Sequence, residues 1–78
     1  MTVSLRHQAE EAELEFLETR DWIATLENTQ DAKAKRTPEQ IALLKIRLVR
    51  KEAIAETIRR LADRADARRV ADHGSTAA

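Results

Sequence analysis

The sequence predicts an all-α fold: an antiparallel two-helix hairpin, coiled-coil-like in its spacing, that dimerises into a four-helix bundle. Three observations lead there. Apolar residues recur at steps of three and four, the helical period, in both halves of the chain. One glycine and one proline in 78 residues leave almost no turn chemistry for a sheet. Alanine, leucine, glutamate and arginine dominate, and 36% of residues are charged, which is the composition of long helices.

The first helix is expected over residues 4–28, with Ser4 as its N-cap. Its acids crowd the first half, where they favour the positive end of the helix dipole. Leu5, Ala9, Ala12, Phe16, Thr19, Ile23 and Leu26 form one seam, and Thr19 alone among them is not apolar. Trp22 flanks this seam. Leu14 and Leu17 are expected on the far side of the helix at about 100° per residue.

A polar connection over 29–37 follows and ends at Thr37-Pro38-Glu39-Gln40. Threonine at the N-cap accepts a backbone N–H, proline suits the first helical position, and glutamine at N3 reaches back to complete a capping box. The second helix is expected over 38–70 with the seam Ile41, Leu44, Leu48, Lys51, Ala55, Ile58, Ala62 and Ala65. Glu56–Arg60 and Arg59–Asp63 are expected as i, i+4 pairs. Residues 1–71 thus form one hairpin, and 72–78 read as a disordered tail.

So short a connection joins antiparallel neighbours. Setting Leu26 beside Ile41 brings Ile23 to Leu44, Phe16 to Lys51, Ala9 to Ile58 and Leu5 to Ala62. Large residues gather at the loop end and alanines at the open end. Lys51 is the one charge on the seam, and its stem covers Phe16 while the ammonium reaches Glu15 or Glu18.

Helix 1 alone does not cover helix 2. Ile41, Leu43, Leu44, Ile46, Leu48 and Val49 point in nearly every direction, as in a helix buried on several sides. A chain this small also gains much from a partner subunit, since it buries only about 60% of its unfolded surface alone. A homodimer is the simplest remedy, and another protein is the second. The expected protein-binding residues are Leu14, Leu17, Trp22, Leu43, Ile46 and Val49.

Other chemistry is poorly served. No cysteine is present, so disulfides and Cys-ligated metals are excluded. His7 has Glu10 and Glu11 at helical spacing but no second histidine nearby, which falls short of a metal site. The clustered glutamates lack the concave, dry site that separates catalytic carboxylates. No enzyme, cofactor or small-molecule substrate is therefore expected. No apolar run reaches the roughly 18 residues needed to span a bilayer, and no secretory signal opens the chain, so it reads as cytoplasmic with no membrane partner.

Residues 1–28 hold seven acids against Arg6 and Arg20, while 37–78 hold nine bases against six acids. The net charge is zero, which argues against nucleic acid. The alternative function is nevertheless a nucleic-acid-binding hairpin dimer using a basic stripe on helix 2, Arg50, Arg60, Arg64 and Arg68. The primary expectation is a non-enzymatic protein–protein interaction module: a small regulator, adaptor, chaperone or assembly subunit.

Overall fold

The computed structural model describes residues 2–77, with side chains for 2–70. Two helices pack against each other, α1 over Leu5–Asn28 and α2 over Pro38–Ala77, and no strand occurs among the described residues. The hairpin is a rod of 66 × 22 × 19 Å. Its radius of gyration is 18.5 Å, against about 11.5 Å for a compact chain of this length.

Each helix starts where its sequence supplies a cap. Ser4 Oγ accepts the His7 N–H at 3.1 Å, and the Ser4 carbonyl accepts from the Gln8 N–H. At α2 the capping box is complete: the Gln40 N–H donates to Thr37 Oγ1 at 3.1 Å, and the Thr37 N–H donates to Gln40 Oε1 at 2.9 Å. Between the helices, Asp31 turns the chain by accepting the Lys33 N–H on its side chain and the Ala34 N–H on its carbonyl.

The seams are where the period of the sequence puts them. Among the described residues, Ala9, Ile23 and Leu26 of α1 and Ala55 and Ala62 of α2 are the buried apolar ones. Ala12, Phe16 and Thr19 on one helix, and Ile41, Leu44, Leu48, Lys51, Ile58 and Ala65 on the other, are half-buried. Leu5 is the exception at 39% exposure, because it opens α1 at the end where the facing residues are alanines.

Ion pairs at three levels hold the crossing in register. Glu27 meets Lys45 at 2.9 Å near the loop. Lys51 meets Glu15 at 2.7 Å at mid-length and also donates to Thr19 Oγ1. At the open end, one Arg6 guanidinium nitrogen reaches both Asp63, at 2.7 Å, and Asp66, at 2.6 Å.

Three sequence expectations need correction. Arg59 does not pair with Asp63; Asp63 is taken by Arg6 across the interface, while Glu56–Arg60 does form. Leu17 is half-buried, not on the far side. It stands about 100° round from Phe16, at the shoulder of the seam, whereas Leu14 stands about 160° away and is exposed. Finally, α2 is helical past Val70 to Ala77. No proline interrupts that stretch, and a single glycine costs about 1 kcal/mol without ending a helix. The side chains of the tail expected over 72–78 lie outside the described residues.

Candidate protein-binding surface

The interior of this hairpin is small, and the consequence is seen on its surface. Leu14, Trp22, Leu43, Ile46, Val49, Ile54 and Leu61 are all large, apolar and exposed. The accessible surface totals 6520 Å², whereas a compact monomer of this mass exposes about 4,800 Å². The excess on one chain is about twice the roughly 800 Å² that each partner buries in a standard protein–protein interface.

The exposed residues are not scattered. Trp22 of α1 joins Leu43, Leu44 and Ile46 of α2 in one open groove of about 590 Å³, rimmed by Arg36, Arg47 and Arg50. Trp22 is there because it lies one step off the α1 seam, beside Ile23. Leu43 is there because it lies one step off the α2 seam, beside Leu44. Each shoulder is left uncovered by the opposite helix, and together they make a trough. Leu14 stands apart on the outer side of α1. Val49, 67% exposed, does not line the groove, and neither does Leu17.

Of the six residues expected to bind protein, the structure thus brings three together: Trp22, Leu43 and Ile46. It adds two that the sequence reading passed over. Ile54 and Leu61 follow Leu43 at spacings of eleven and seven, which keeps them on the same side of α2. That spacing was available in the sequence, but Arg47, Arg50 and Arg64 interrupt the stripe and mask its period.

Of the basic stripe, Arg50 rims the groove, Arg64 and Arg68 are exposed, and Arg60 is bonded to Glu56. Among the described residues, Arg47, Arg50, Glu11 and Glu18 take part in no ion pair. Where charges do meet, they perturb each other. The hydrogen bond from Lys51, and then its charge, hold the Glu15 carboxyl below its usual range. Hydrogen bonds to Asp63 and then to Asp66 raise the Arg6 guanidinium further above its usual value.

A second, smaller groove on the opposite face is lined by Glu13, Phe16, Glu52, Ala55, Glu56 and Arg59. Among the described residues no group of three or more His, Cys, Asp or Glu side chains is placed to hold a metal ion. His7 is exposed, and its backbone serves the Ser4 cap. No helix among those residues is long and apolar enough to cross a membrane. Compared with models of known protein families, with curated proteins and with solved structures, the chain matches none.

Proposed function

We propose that this chain is a non-enzymatic protein–protein interaction module, a homodimeric four-helix bundle built from two hairpins. The carrying observation is the apolar trough of Trp22, Leu43 and Ile46, continued along α2 by Ile54 and Leu61, on a molecule in which five of the described residues, three of them alanine, form the buried core. Covering each large aliphatic side chain is worth roughly 1.5–3 kcal/mol, which is a large share of the stability of so small a domain. A second copy supplies that cover by packing helix on helix. The finished dimer would then act as a regulator, adaptor, chaperone or assembly subunit through surfaces that remain exposed, with Leu14 and Val49 the foremost of these.

The test is the mass and melting behaviour of the wild type beside Ile46→Glu. The wild type should sediment at about twice the 8.9 kDa of one chain, with a melting temperature that rises with protein concentration. Ile46→Glu should sediment as a monomer and melt lower, because it places a charge in a dry contact. If the wild type is a monomer whose melting is independent of concentration, self-association is excluded and the trough is left for a different protein. If Ile46→Glu keeps its mass and its stability, the trough is not the contact.

A second reading rests on one observation, that Arg47, Arg50, Arg64 and Arg68 are exposed and carry no ion pair among the described residues. Such a row suits a phosphate backbone, and binding to it would weaken steeply with salt. Glu11, Glu15 and Glu18 on the neighbouring helix oppose it. An apolar contact would be nearly insensitive to salt, so one titration separates the two readings.

A further inference from the structure

The charges on the trough's face carry an inference about how two copies meet, which rests on the self-association proposed above. Lys51 sits between Glu15 and Thr19 of α1, so the two helices are level there, and Glu18 stands at the height of Arg50. Trp22 shares its groove with Leu43, Arg47 and Arg50, which puts these flanks of the two helices on one broad face. At about 100° per residue, Glu11, Glu15 and Glu18 fall on the same flank of α1 as Trp22. Ile54 and Leu61 fall on the same flank of α2 as Leu43, Arg47 and Arg50. Of the acids of α2, Glu52 and Glu56 line the groove on the opposite face, while Glu39 shares the flank of Leu43 but lies in the first turn, eleven residues before Arg50. One face of the hairpin therefore has an acidic column beside a basic one, and apolar residues in both.

Two hairpins packed face to face with two-fold symmetry have two ways to align their helices. With the axis across the rod, α1 lies over α1 and α2 over α2. The acidic flank of α1 then lies over its own copy with heights inverted, as does the basic flank of α2, so that columns of like charge face each other. With the axis along the rod, each α1 lies over the partner's α2 and runs antiparallel to it. Rotation about that axis leaves heights unchanged, so no sliding is available to adjust the match. Glu18 arrives at Arg50 of the partner subunit, and Trp22 arrives at the height of the partner's Leu43 and the partner's Arg47. Like charges across an interface cost several kcal/mol, whereas opposite ones fix register and orientation.

We propose that a second copy of this chain covers the face carrying Trp22, Leu43 and Ile54, its α1 lying antiparallel over α2 about a two-fold axis parallel to the helices. Each Glu18 then faces the partner's Arg50, and both loops lie at the same end of the bundle.

Reversing one charge at a time tests it. Glu18→Arg and Arg50→Glu should each weaken self-association by about tenfold or more, because both contacts of the symmetric dimer turn repulsive. An equimolar mixture should recover dimers, detected by native mass spectrometry as the mixed species. In that mixed pair the two substituted side chains meet each other at one contact, and the native Glu18 meets the native Arg50 at the other. A mixture that stays as dissociated as its components, or variants that dimerise like wild type, overturns the arrangement. A wild type that is monomeric overturns the self-association beneath it as well. Should either variant fail to fold, spin labels on an Asp31→Cys chain decide the matter. The proposed arrangement sets the two loops within roughly two helix diameters, about 20 Å, while the crosswise one separates them by about the length of α1, roughly 36 Å.

Discussion

The loop end and the open end of this hairpin are held together by different physics. Near the loop, Ile23, Leu26, Ile41, Leu44 and Leu48 fill the seam, and Ile23 retains only 2% of its exposure. At the open end the buried residues are Ala9, Ala55 and Ala62, and the cross-link is the bridge from Arg6 to Asp63 and Asp66. Alanine buries well, with Ala62 at 1% exposure, yet it brings few atoms to bury. One end is therefore stabilised by apolar volume. The other depends on close approach and on charges that salt can screen.

The largest break in that contrast comes from volume. Ile23→Ala should cost about 2–5 kcal/mol by leaving a cavity at the loop end. Ala62→Leu should cost about 1–3 kcal/mol for the opposite reason, since the open end has no room for the added atoms. Denaturant midpoints of the two variants measure both. If Ala62→Leu were stabilising, the open end would be loosely packed and the contrast would fail.

The cap at the loop end comes next. Thr37→Ala should lower stability by about 1 kcal/mol by removing the oxygen that accepts the Gln40 N–H. Thermal melts at one protein concentration are enough to read it. A neutral result would mean that α2 is held at its start by its apolar seam alone.

The smallest effect is electrostatic and lies midway between the ends. The Glu15 carboxyl is held below its ordinary value of 4.5 by Lys51. A carboxyl with a depressed folded pKa stabilises the fold above its unfolded pKa, and that contribution is lost as pH falls through the folded one. Glu15→Gln should therefore melt slightly below wild type at pH above about 5, and the two melting curves should converge in acid. A gap that widened in acid would contradict the bridge.

What was legible in the sequence is what is periodic or local. The seam residues sit at steps of three and four, and Thr37 and Gln40 are close enough to cap one another without help from the rest of the fold. Lys51 was legible as the one charged seam position, and its neighbours narrowed its partner to Glu15 or Glu18. What was not legible is set by the crossing itself. Asp63 has a local candidate in Arg59, yet Arg6 takes it from 57 residues away. Only the level at which α1 begins beside α2 decides that choice. A helical wheel gives the angle of Leu17 but not the shading by its neighbours, so its half-burial escaped. The trough joins shoulders of two different helices, and no single stretch of sequence shows that Trp22 and Leu43 are neighbours.

The connection over 29–37 also orders events in time. Leu26 and Ile41 flank it, so bringing them together closes a short loop, whereas Arg6 and Asp63 close nearly the whole chain. Closure entropy grows with the length enclosed, and the first layers at the loop spare the later ones most of it. On that ground the hairpin is expected to zip from the connection outward, with the Thr37 cap formed early by local contacts. Changes at Ile23 or Leu26 should then act mainly on the rate of folding, and changes at Ala9 or Ala62 mainly on the rate of unfolding, as stopped-flow folding and unfolding rates would show. In that order of events the alanine end would be the last to close and the first to part.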